Sequence, residues 1–118
     1  MPFRAYLGSL REIRATPDTT ELSFRSALED LIAGLGDGVR AINEPGFREG
    51  GAPDLVVRRG ERRIGFIETK DLGANLDPVQ DSEQLGRYRR AFDNLILTNY
   101  LEFRWYVEDS LRDSAGPP

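Results

Sequence analysis

Between residues 53 and 70 the sequence reads PDLVVRRGERRIGFIETK, which sets two acids and an amine at a spacing suited to hydrolytic chemistry. Asp54 precedes one apolar, β-branched run, Glu68 ends the next, and Lys70 follows two positions on. Lys70 is also the sole lysine in a chain with fifteen arginines. An ammonium is a compact charge on a flexible stem that can release a proton when its pKa falls, whereas guanidinium stays charged and planar. A position that keeps lysine against so arginine-rich a background suits a site that handles one small charge or one proton. Chance survival is the plainer reading, and the lysine alone decides nothing.

The two runs, Leu55 to Val57 and Ile64 to Ile67, flank RRGERR and predict a β-hairpin. With a three-residue loop of Gly60, Glu61 and Arg62, Arg59 faces Arg63, and Asp54 falls directly opposite Glu68. Opposed residues share a face with Cβ atoms about 4.5 to 5.5 Å apart, and period-two alternation adds Lys70 to it. A two-residue loop would set Asp54 against Ile67 and send the acids to opposite faces. Two carboxylates held together repel unless a cation or a proton lies between them. Such a pair suits magnesium, which binds through one or two carboxylates and keeps several waters, one of which it acidifies. Lys70 could orient that water, take its proton, or neutralise phosphate charge. The competing reading is a surface ion-pair network worth about 0 to 1 kcal/mol per pair.

Composition narrows the field. The chain has no cysteine and no histidine, which removes disulfides, thiolate nucleophiles, imidazole bases and the usual zinc ligands. Chemistry then falls to carboxylates, the lysine, tyrosines, serines and arginines, and hard oxygen donors favour magnesium, manganese or calcium. At 118 residues, 39% hydrophobic and 31% charged, the sequence reads as one globular domain. It has no apolar run long enough to cross a bilayer and no secretory leader, so the expected compartment is the cytoplasm. A net charge of −4 speaks against a free-standing nucleic-acid binder. The arginines nonetheless cluster at Arg58, Arg59, Arg62 and Arg63 and at Arg87, Arg89 and Arg90.

The elements that must position these residues follow from periodicity. Phe3, Tyr6, Leu7, Leu10 and Ile13 predict a helix over 3–14, and Leu22, Leu28, Leu31, Ile32 and Leu35 a second over 21–35. A short strand is expected over 39–42, then the hairpin, a loop in DLGANLDP, a helix in SEQLGRYRRAF with Leu85, Tyr88 and Phe92 on one face, and two strands in NLILT and LEFRWYV around a turn at Asn99 and Tyr100. The expectation is an α/β fold with a mixed central sheet of about five strands flanked by helices, over 1–108, and a flexible C-terminal tail over 109–118.

Pro53-Asp54 followed by Glu68-Thr69-Lys70 resembles the PD-(D/E)xK nuclease superfamily, with its restriction-endonuclease-like fold, and Gln84-Leu85-Gly86-Arg87-Tyr88 resembles the Q-x-x-x-Y motif of many exonuclease-type members. TELSFRSALEDLI, NEP, GGAPDLVV, GFIETKDLGANLD and EQLGRYRRAFDNLILTNYLEFRWY together resemble the N-terminal nuclease domain of type ISP and related single-chain restriction-modification enzymes. The resemblance implies a Mg²⁺-dependent DNA endonuclease, with Mn²⁺ able to substitute. Asp54, Glu68 and the backbone carbonyl of Thr69 would bind metal, and Lys70 would position the attacking water. Glu21 matches a helical acid that touches a metal-bound water, although a first-turn acid is equally explained by the helix dipole. Gln84 and Tyr88, one turn apart, would contact the scissile phosphate or steady Lys70; core packing of Tyr88 is the rival reading. Glu44 would be a further acid near the site, or an ordinary loop residue, and Arg25 would pair with an acid or hold phosphate. Implied partners are DNA, helicase and methyltransferase domains of the same system, and a second copy on DNA, with no membrane. The alternatives are a catalytically idle module for DNA binding or assembly, and a nuclease acting on RNA or single strands.

Overall fold

In the computed structural model, which describes residues 2–15, 21–43 and 53–116, the chain forms one six-stranded sheet with helices on both faces. The elements run α1 (Pro2–Ala15), α2 (Glu21–Ala33), β1 (Val39–Ile42), β2 (Leu55–Arg59), β3 (Arg62–Thr69), α3 (Leu76–Gln80), α4 (Glu83–Ala91), β4 (Asn94–Thr98), β5 (Phe103–Val107) and β6 (Ser110–Ala115). The strands lie side by side in chain order. Every neighbouring pair is antiparallel except β3 and β4. Only that parallel pair needs a crossover, and α3 and α4 supply it.

The faces are set by alternation along the strands. On one face Tyr6 and Leu10 of α1 and Ala27, Leu28, Leu31 and Ile32 of α2 pack with Ala41, Leu55, Ile67 and Tyr100. On the other, Leu76 of α3 and Leu85 and Tyr88 of α4 pack with Leu95, Leu97 and Tyr106, with Phe66 and Phe92 at the margin. Leu55 and Ile67 are therefore turned to α1 and α2, and their neighbours Val56, Phe66 and Glu68 to the opposite side. Among the described residues no helix is long and apolar enough to cross a membrane.

Four expectations change. The sheet has six strands, not about five. DLGANLDP is not all loop: Asn75 caps a short helix, its side chain accepting from Asp77 N at 3.0 Å. Leu35 lies past the end of α2, where Gly34 N bonds back to Asp30 O at 3.1 Å, and it is 64% exposed. The flexible tail expected over 109–118 gives way to β6, paired with β5 from Val107↔Ser110 to Phe103↔Ala115. Glu108 and Asp109 turn the chain with positive φ of 48° and 73°. This turn lacks the Asn-Gly or Asp-Gly signature of its kind, and every side chain of β6 is exposed, so composition carried neither the turn nor the strand.

Candidate active site

The hairpin register differs in its cause from the sequence expectation. The turn has two residues, Gly60 and Glu61, with Arg59 opposite Arg62 and Gly60 at a φ of +62°. Two-residue turns of the II′ kind favour glycine at that first central position. Such a loop alone would set Asp54 against Ile67. Between Arg58↔Arg63 and Val57↔Gly65, however, the ladder slips by one, leaving Ile64 as an extra residue in β3. This β-bulge restores the count, so that Leu55 faces Ile67 and the next position sets Asp54 against Glu68.

Around that pair the side chains converge. Asp54 N donates to Glu68 Oε1 at 3.2 Å. Thr69 grips Asp54 twice, its backbone N–H at 2.9 Å and its hydroxyl at 2.8 Å from Oδ2. Lys70 Nζ lies 3.4 Å from Glu68 Oε2, and Lys70 N donates to Thr98 O at 2.8 Å, tying the start of its loop to β4. From α2, Arg25 Nη2 lies 3.6 Å from Asp54 Oδ1 and donates to Thr69 Oγ1 at 3.4 Å. The arrangement sits at one end of β2 and β3, reached by helices from both faces.

Electrostatics follow from burial. The Glu68 side chain is 7% exposed. Loss of solvent first, and the neighbouring Asp54 second, push its carboxyl up to about 7, against a smaller downward pull from Lys70. Its hydrogen bond with the Asp54 side chain acts in the same upward direction. The pair thus holds either a proton or a cation. Tyr88, buried in α4, feels both acids: burial and then the charges of Glu68 and Asp54 raise its pKa, while Arg87 and a hydrogen bond with Gln84 lower it. The phenol stays protonated beside the carboxyls. Gln84, one turn earlier and exposed, bonds Tyr88. Ser82 starts this helix, accepting from Leu85 N at 3.2 Å.

The structure therefore brings Asp54, Glu68, Thr69, Lys70 and Arg25 into one contact network and sets Gln84 and Tyr88 at its margin. The side chain of Glu21 and all of Glu44 lie outside the described residues. Among the described residues no three acids gather as a ligand set. A buried Glu68, whose proton is held first by loss of solvent and then by the charge of the half-buried Asp54, gives with it a set of hard oxygen donors that fits a Mg²⁺ ion taking one or two carboxylates and completing its shell otherwise.

Two supporting residues escaped sequence reasoning. Thr69 was singled out for its carbonyl, but its N–H and hydroxyl hold Asp54; a threonine between two site residues was the available signal. Asn99 accepts from Leu101 N at 3.0 Å and Glu102 N at 2.7 Å, and its amide donates to Ala74 O at 2.7 Å. Gly73 N also donates to Asn99 O at 3.1 Å. The loop after Lys70 is thereby fastened to the β4–β5 turn. Asn99 read only as a turn residue because its partner Ala74 is 25 positions away.

No family model and no curated protein matches this sequence. Six chains among the solved structures do match. One is a cryo-electron microscopy structure of a DrdV–DNA complex, similar to this chain with a TM-score of 0.73 at 20% identity over 98% of it. The matched region spans 12% of that protein's chain. At this identity the likeness concerns the fold, a mixed sheet between two helical layers.

Proposed function

We propose that this chain is a PD-(D/E)xK nuclease domain with the restriction-endonuclease-like fold, and that it hydrolyses phosphodiester bonds in DNA with Mg²⁺ as cofactor. The observation that carries the reading is the Asp54–Glu68 pair, with Lys70 Nζ 3.4 Å from Glu68. The fold likeness to a chain solved with DNA supports the substrate.

Asp54 and Glu68, with the Thr69 backbone oxygen, would hold the ion, which when bound supplies an activated water and charge neutralisation at phosphate. Glu68 gives up the proton that its burial retains. Thr69 fixes one Asp54 oxygen and so aims the other. Lys70 orients the nucleophile with one compact charge on a flexible stem, which the planar guanidinium of an arginine does not reproduce. The neutral Tyr88 phenol and the Gln84 amide are donors on the α4 side, suited to a phosphate oxygen. Arg25 faces the acids from α2 and stabilises negative charge there. Helicase and methyltransferase domains, and a second copy on DNA, remain proposed partners.

The second reading, an idle module, draws on one observation: both acids already have a cation from the chain, Arg25 on Asp54 and Lys70 on Glu68. Plasmid DNA incubated with protein and Mg²⁺ separates the two. Nicking or linearisation that EDTA and Lys70→Ala abolish supports the nuclease. Absence of cleavage, together with no heat of Mn²⁺ binding in calorimetry, would establish the idle module.

A further inference from the structure

The hairpin distal to the acids carries a row of like charges. Arg40 of β1 lies directly opposite Arg58 of β2, and Arg58 directly opposite Arg63 of β3. Three adjacent strands thus present three guanidinium groups side by side, at about 4.8 Å per strand. Like charges placed directly opposite one another repel. The flanking positions fix its face. Val39, Ala41, Val57 and Leu55 belong to the α1/α2 side, so Arg40 and Arg58 point to the other. Arg63 lines a groove there with Phe66, Phe92 and Asp93. This is also the face of Phe66 and Glu68.

Asp54 immediately precedes β2, and Arg58 lies four residues further on, about 13 Å at 3.3 Å per residue. Along one strand of a duplex, phosphates advance about 3.4 Å each along the axis, so the row stands roughly four base steps from the acids. Neither Arg40 nor Arg63 is screened by a helix, both being exposed. Arg58 is half-buried and braced by Nη1 donating to Glu61 O at 2.8 Å. Among the described residues the exposed aromatic ring, Trp105, is opposite Ile96 on the α1/α2 side, and the Phe66 and Phe92 rings beside Arg63 are half-buried and packed on each other, with centroids 4.2 Å apart. Binders of single strands stack bases on aromatic rings. A charged row whose neighbouring rings are already packed on each other suits a polymer whose bases are paired.

We propose that Arg40, Arg58 and Arg63 form a phosphate-binding ladder that seats double-stranded DNA on the α4 side of the sheet, about four base steps from the Asp54–Glu68 pair. The ladder rests on the reading of that pair as the hydrolytic centre only for its register on the substrate. It contacts phosphate and reads no sequence.

The test is fluorescence anisotropy of a labelled 20-base-pair duplex in EDTA, so that hydrolysis plays no part, across a salt series. Arg40→Gln/Arg58→Gln/Arg63→Gln is compared with Arg4→Gln/Arg11→Gln/Arg14→Gln, which removes the same charge from exposed positions of α1. The ladder variant is expected to lower the slope of log affinity against log salt by about 2 to 3, with at least tenfold weaker binding, while the α1 variant keeps its slope within about one. Equal slopes for the two triples, or no binding by the parent protein, overturn the ladder. Competition by an unlabelled single strand or an RNA duplex as strong as by the DNA duplex overturns the assignment to double-stranded DNA. Should the triple variant not fold, the single variants each carry about one unit of slope, and Arg58→Lys retains it. A failed cleavage assay leaves these slopes unaffected, so the two readings fall separately.

Discussion

Asp54 faces Glu68 because Ile64 is one residue too many for β3. The tight turn at Gly60 and Glu61 alone would have placed Asp54 against Ile67, with the acids on opposite faces of the sheet. The bulge absorbs the surplus residue, so the register of the site depends on how many residues of β3 pair between the turn and Glu68.

Deleting Ile64 removes the surplus residue and leaves a regular ladder with Asp54 still opposite Glu68, so Mn²⁺ binding measured by calorimetry should persist. Deleting Arg63 together with Ile64 shortens β3 by one residue more, sets Asp54 against Thr69 and sends the acids to opposite faces, which should abolish binding. Ile64→Ala, which keeps the backbone count, should bind as the parent does. Metal affinity that survives the double deletion would refute the register argument.

The acid pair should make stability fall with rising pH when metal is withheld. Folding raises the Glu68 pKa from 4.5 to about 7, so the folded state prefers the proton. That preference is fully expressed below about pH 4.5 and is lost as pH rises to about 7. Urea unfolding in EDTA should lose on the order of 3 kcal/mol at most across this window. Glu68→Gln should flatten that part of the profile. An unchanged slope in Glu68→Gln would place the titrating group elsewhere.

Lys70→Arg preserves charge but replaces a compact ammonium with a planar guanidinium. Cleavage by this variant should drop roughly 100-fold through misplacement of the nucleophile, while its melting temperature stays near that of the parent. Rates equal to the parent would show that position 70 supplies charge alone.

Asn99→Ala leaves the Leu101 and Glu102 N–H groups and the Ala74 carbonyl without their side-chain partner. Unfolding free energy should fall by about 2 kcal/mol or more. Hydrogen exchange should quicken over 71–75, and cleavage should weaken as the Lys70 loop loosens. Exchange rates unaltered in that loop would mean that Lys70 N on Thr98 O suffices to hold it.

Much of this architecture was legible in the residues. Alternation gave the hairpin and the two strands after α4, and helical spacing gave α1, α2 and α4, because in each case the buried face is written as apolar periodicity. The acids and the lysine were legible as a trio. What periodicity could not reveal was the means of alignment, since a bulge at Ile64 and a longer turn predict the same facing residues. β6 was hidden because an edge strand with no buried side chain leaves no apolar trace. Arg25 was visible as a candidate partner for an acid, but its contact with Asp54 and Thr69 crosses from helix to sheet, and no local pattern encodes such a meeting.

The distances along the chain at which contacts close also carry a kinetic consequence. The Asp54–Glu68 bond spans 14 residues, whereas Tyr6 OH reaches Tyr100 O across 94. Short closures cost less chain entropy and form sooner. During refolding, amides of the hairpin should gain protection before those of α1 settle on the sheet, so that the acids meet while the N-terminal helix is still searching for its seat.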